Sequence, residues 1–102
     1  MIQPDQTIID FALRILGYML TCGYGRVQVS QGYRGEILLT AFAFYRLHNI
    51  AITINLGPLF NVVTECDDVV TSDENCPFEN VLPMVQEWAV AHGLMEAQTW
   101  TP

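Results

Sequence analysis

The chain has 102 residues and a formal net charge of −7, with 51% of its residues apolar and 15% charged. That length supplies one core and leaves no room for a second, so residues 1–102 read as a single domain, and so apolar a composition excludes a disordered chain. Lysine is absent and all four cations are arginines, which leaves no flexible ammonium surface to neutralise phosphates and argues against direct nucleic-acid binding.

Residues 7–21 read as a helix, with Asp5 or Thr7 as its N-cap and Gly23 as its left-handed stop. Thr7, Asp10, Arg14, Gly17 and Thr21 form one narrow polar stripe on an otherwise apolar surface, along which Asp10 and Arg14 can pair. From Arg26 the period becomes two: Val27 and Val29 alternate with Gln28 and Ser30, and Gln31-Gly32-Tyr33-Arg34-Gly35 then supplies a hairpin turn. Residues 36–46 suit a buried strand or a helix. Strand is favoured, because Glu36, Thr40 and Arg46 make no helical stripe while Phe42 and Phe44 share one face at period two.

Leu47-His48-Asn49 reads as a turn with Asn49 left-handed, after which Ile50, Ile52, Ile54 and Leu56 alternate with Ala51, Thr53 and Asn55 as a strand. Gly57-Pro58 leads into a short fourth strand over 59–64, and residues 65–80 read as a polar loop carrying six acids. A second helix follows, with Asn80 as its N-cap, since Pro83 belongs in a first turn, and with Gly93 as its stop. Connections this short exclude crossover helices. The fold class is therefore α+β: a two-layer sandwich of N-terminal helix, antiparallel meander of three or four strands, and C-terminal helix. The apolar supply exceeds what a chain this short can bury, which predicts a homo-oligomer, most simply a dimer.

No apolar run reaches the length of a membrane span, and the N-terminal residues lack the basic region of a secretory signal, so the expected location is cytoplasmic with no membrane association. Cys22, Cys66 and Cys76 form an odd, loosely spaced set that fits reduced thiols, with a Cys66–Cys76 pairing left open.

Charge is unevenly placed. Residues 1–64 set Arg14, Arg26, Arg34 and Arg46 against Asp5, Asp10 and Glu36, for a net +1. Residues 65–102 carry Glu65, Asp67, Asp68, Asp73, Glu74, Glu79, Glu87 and Glu96 with no Lys or Arg, for a net −8. A dense field of one sign attracts a basic protein and speeds encounter; its bland equivalent is a solvated, solubilising surface. The exposed Tyr33 and Arg34 of the first hairpin are of residue types enriched at binding hot spots, set against ordinary polar cover of a turn.

Catalytic and metal signatures are weak. A thiol nucleophile would need Cys22, Cys66 or Cys76 beside His48 or His92 with a carboxylate such as Asp67, and no known local signature surrounds any of them. A metal set drawn from Cys66, Cys76 and a histidine lacks the paired spacing of zinc ligands. The stretch from Asp67 to Asn75 has the composition of a calcium loop without its ligand positions or central glycine, and no glycine-rich phosphate loop occurs. No cofactor and no metal are expected.

The sequence thus favours a non-enzymatic interaction protein, such as an inhibitor, an immunity-like factor or an accessory subunit, of the kind phages and mobile elements carry. It would engage a basic partner through Glu65, Asp67, Asp68, Asp73, Glu74, Glu79 and Glu87, with Tyr33 and Arg34 as a further contact. The alternative is a small-molecule binder or enzyme whose apolar pocket between sheet and helices is lined by Phe42, Phe44, Tyr45, His48, Trp88 and His92.

Overall fold

A computed structural model describes residues 2–43, 48–55 and 59–95. The first helix, α1 (Gln6–Thr21), is capped by Asp5, whose carboxylate accepts the Thr7 amide at 3.0 Å. Ile8, Ala12, Ile15 and Met19 recur at helical spacing and face the core. Its outer surface is wider than the polar stripe alone: Leu13 and Leu20 are exposed, and Asp10 accepts from Gln6 Nε2 at 2.9 Å instead of pairing with Arg14. Gly23 ends the helix at φ 93°, where the Leu94 carbonyl lies so close that a Cβ would collide with it.

Five strands follow: β1 (Val27–Gln31), β2 (Ile37–Ala43), β3 (His48–Ile54), β4 (Leu59–Cys66) and β5 (Val69–Pro77). They pair as an antiparallel meander in chain order, so β1 and β5 are its edges. The α+β class and the order helix, meander, helix are as expected, but there are five strands in place of three or four. The extra strand is β5, which occupies most of the stretch read as an acidic loop. Asp67 and Asp68 both take positive φ, 50° and 69°, and make a two-residue turn that pairs Cys66 with Val69. A bulge opposite Asn61 holds Asn75 at φ 57°, its amide donating to Asn61 Oδ1 at 3.3 Å. The expected turn at His48 and Asn49 is also absent, because both residues belong to β3 and pair with Cys66 and Glu65.

The second helix, α2 (Phe78–Ala91), starts two residues before the expected cap at Asn80. Extended Pro77 is the N-cap, and Phe78 packs its ring on Phe11 and Phe60 with centroids 5.2 and 6.1 Å away. That aromatic packing draws residues 78–80 into the helix and leaves Pro83 inside it, on the exposed side. His92 is the C-cap and Gly93, at φ 72°, the expected stop.

Both helices cover one face of the sheet. Ile37, Leu39, Ala41, Ile50, Ile52, Ile54, Phe60 and Val62 bury that face beneath Ile15, Met19, Val81 and Val85. No element among the described residues covers the opposite face, where Leu38, Thr40, Phe42, Ala51, Thr53 and Val63 lie half-buried or exposed. No helix of the described residues is long and apolar enough to cross a membrane.

Candidate functional site

The antiparallel register of β3 and β4 sets His48 directly opposite Cys66 at the end of the strand pair. His48 is in phase with Ile50, Ile52 and Ile54, and Cys66 with Phe60 and Val62, so both side chains emerge on the helix-covered face. The chain returns to this end of the sheet at the close of α2. There His92, one turn beyond the buried Trp88, reaches the same point.

These side chains form a connected chain of contacts. Asp67 Oδ1 lies 3.1 Å from His48 Nε2, His48 Nδ1 lies 2.9 Å from His92 Nε2, and His92 Nε2 lies 3.6 Å from Cys66 Sγ. His92 Nδ1 lies 2.8 Å from the Trp88 carbonyl. Trp88 stacks on the His92 ring at 3.9 Å and on Tyr24 at 5.7 Å, which fixes the plane of the imidazole. The Trp88 indole N–H is buried with no hydrogen-bond acceptor among the described residues. His48 Nδ1 or Nε2, Cys66 Sγ and a His92 nitrogen all fall within 4.8 Å of one another, and this is the one such group of metal-ligating side chains among the described residues.

Hydrogen-bond chemistry assigns the protons. The Trp88 carbonyl can only accept, so His92 Nδ1 carries a hydrogen; the ionised Asp67 carboxylate can only accept, so His48 Nε2 carries one as well. The other nitrogens, His48 Nδ1 and His92 Nε2, then face one another at 2.9 Å, and His92 Nε2 is also the one 3.6 Å from the Cys66 sulfur.

The second feature is a groove of about 530 Å³ between β5 and α2. Asp73, Glu74 and Glu87 stand around it, while Pro77, Pro83 and Met84 supply apolar lining. Among the described residues none of these three carboxylates is paired with a cation. The buried Cys76 thiol beside the groove has its pKa raised, first by burial and then by the charges of Asp73 and Glu79.

The residues expected to bind a partner do not all meet. Asp67 and Asp68 lie at the β4–β5 turn, Asp73, Glu74 and Glu87 around the groove, and Glu79 in the first turn of α2. Glu65 points to the uncovered sheet face, where Asn49 Nδ2 donates to it at 3.1 Å. Tyr33 and Arg34 lie beyond β1, at the opposite edge of the sheet, where the Ile2 amide donates to the Tyr33 carbonyl at 3.0 Å.

The apolar pocket drawn from sequence is taken apart in the same way. Phe42 alternates with buried Ala41 and stands on the uncovered face, so it cannot line a space between sheet and helices. Phe44 and Tyr45 lie outside the described residues. Only His48, His92 and Trp88 come together, and the partner that joins them, Cys66, is absent from that pocket set. Cys22, Cys66 and Cys76 are all free thiols. Comparison of the chain with protein-family models, with curated proteins and with solved structures finds no match.

Proposed function

We propose that this domain is a non-enzymatic interaction protein that engages a basic protein through its β5–α2 edge, acting as an inhibitor, immunity-like factor or accessory subunit. The observation that carries this reading is the groove in which Asp73, Glu74 and Glu87 surround an apolar lining. An arginine or lysine of a partner would lay its methylene stem on Pro83 and Met84 and bring its charged head to the carboxylates. Asp67, Asp68 and Glu79 extend the negative field along the same edge and would steer the approach of such a partner. Burial is the main cause of the raised Cys76 pKa, and the charges of Asp73 and Glu79 add to it in the same direction.

Self-association belongs to this reading. The uncovered sheet face, with Leu38, Phe42, Ala51 and Val63, gives a second copy an apolar surface distinct from the acidic edge.

The test is calorimetric titration with an arginine-rich peptide at low and high salt. The wild-type protein is expected to bind at low salt and lose affinity as salt rises. The triple variant Asp73→Lys, Glu74→Lys, Glu87→Lys is expected to lose binding at least tenfold with its melting temperature nearly unchanged. Equal affinity in wild type and variant would remove the groove from the function.

A further inference from the structure

We propose that His48, Cys66 and His92 bind one Zn²⁺ ion through His48 Nδ1, Cys66 Sγ and His92 Nε2, leaving a fourth coordination position for water or an outside ligand. The inference is independent of the acidic groove and rests on how the three side chains are oriented.

Three observations converge on it. First, the outward nitrogen of each histidine is already engaged: His48 Nε2 with the Asp67 carboxylate at 3.1 Å and His92 Nδ1 with the Trp88 carbonyl at 2.8 Å. Metal-binding histidines use their second nitrogen in this way, donating to a carboxylate or a backbone carbonyl that fixes the tautomer and the ring orientation. Secondly, that tautomer leaves two nitrogen lone pairs facing one another across 2.9 Å, beside a thiol. Two acceptors at that distance repel unless a proton or a metal ion lies between them, and a thiolate adds a third donor of the kind zinc prefers. Thirdly, the spacing is right. Tetrahedral zinc with bonds of about 2.0–2.1 Å to nitrogen and about 2.3 Å to sulfur puts N and S roughly 3.5 Å apart and two nitrogens roughly 3.3 Å apart. Cys66 Sγ and His92 Nε2 stand 3.6 Å apart, the two facing nitrogens 2.9 Å apart with the imidazoles edge to face at 88°, and one donor atom from each of the three residues lies within 4.8 Å of the others, so small side-chain rotations bring the set to tetrahedral spacing.

Binding is a simple exchange. The Cys66 thiol gives up its proton to solvent and coordinates as thiolate, while the imidazoles coordinate as neutral ligands. Three protein ligands with an open position is the arrangement of zinc sites that hold a reactive water. The ion would also clamp the start of β3, the end of β4 and the cap of α2 to one another, so metal and fold would stabilise each other.

The experiment uses the full chain, reduced and stripped with a chelator, then titrated with Co²⁺ and back-titrated with Zn²⁺. One equivalent of Co²⁺ is expected to give intense visible bands and a thiolate charge-transfer band in the near ultraviolet, all abolished stoichiometrically by Zn²⁺. Cys66→Ser should eliminate the charge-transfer band, and Cys76→Ser should leave it intact. His92→Gln should weaken affinity at least tenfold, and Asp67→Asn should weaken it by about 10–100-fold while keeping the band. Should Cys66→Ser fail to fold, the wild-type protein still decides the matter: Zn²⁺ should protect Cys66 from iodoacetamide in a mass-spectrometric assay. The proposal is overturned if micromolar Co²⁺ and Zn²⁺ are not taken up, if the band survives Cys66→Ser, if copper binds where zinc does not, or if Zn²⁺ leaves Cys66 alkylation unchanged.

Discussion

Tyr24 ties the end of one helix to the middle of the other. Its ring is buried against Trp88, and its hydroxyl donates to the Val85 carbonyl of α2 at 2.9 Å. Replacing it in Tyr24→Phe is expected to cost about 1 kcal/mol, the usual net worth of one buried hydrogen bond, read from denaturant unfolding. Burial, and secondarily the Cys22 charge, raises the pKa of Tyr24 above the ordinary value of 10.0. A pKa raised on folding means that the fold favours the neutral phenol. Its contribution is therefore complete below pH 10.0 and is lost as pH climbs from there through the raised folded value. Tyr24→Phe should accordingly show a shallower alkaline loss of stability than the wild type, measured by melting across that range. The importance of Tyr24 is not visible in the sequence, where Gly23-Tyr24-Gly25 looks like a solvated turn. Its burial depends on where the end of α2 comes to rest, which no local pattern specifies.

Among the elements, α2 carries an uncompensated local cost. Pro83 is the sixth residue of a helix that begins at Phe78, and it has no amide to donate to the Glu79 carbonyl. Since Pro83 is exposed, that carbonyl reaches water and the helix survives, held by Val81, Val85, Trp88 and Ala89 in the core. Pro83→Ala should therefore stabilise the protein by about 1–3 kcal/mol in urea unfolding; a neutral or negative change would mean that the proline is matched to a strained backbone. Reading the helix from Asn80 onward follows from propensity alone, and the Phe11–Phe60–Phe78 cluster is what overrides it. β5 shows the opposite case. Seven of its nine residues are exposed and most are polar, so it lacks an alternating apolar signal, and what makes it a strand is the main-chain ladder to β4. Its acidic side chains on an exposed edge also resist unwanted strand pairing.

For the whole molecule, the open question of assembly comes down to one sheet face. The two helices cover the other face, and the uncovered one carries Leu38, Phe42, Ala51 and Val63. Sedimentation velocity at micromolar concentration is expected to show a dimer, and Phe42→Glu should shift it toward monomer without unfolding the chain, because Phe42 is 38% exposed. A wild-type monomer across that concentration range would eliminate self-association from the proposed function. Charge is distributed at the same level: the acids follow the β5–α2 edge, while Arg26 and Arg34 lie beside the β1 edge. The cations of the β1 edge are offset by Asp5 and Glu36 beside them, so the molecule's uncompensated charge is on the β5–α2 side.

Local signals in the chain determined the helix–meander–helix order, a first cap at Asp5 or Thr7, the Gly23 and Gly93 stops and the α+β class, because periodicity, capping and turn chemistry act over a few residues. Tertiary structure alone decided β5, the early start of α2 and the meeting of His48, Cys66 and His92. Those three ligands lie 18 and 26 residues apart along the chain, and only strand register and the return of α2 bring them together. One clue was present: continuing the alternation of Ile54, Ile52 and Ile50 by one more step puts His48 on the covered face. Reading Leu47-His48-Asn49 as a turn hides it, since turn propensity is judged from the residues themselves whereas β3 is extended by its pairing with Ala43 and Phe42 of β2 and with Cys66 and Glu65 of β4.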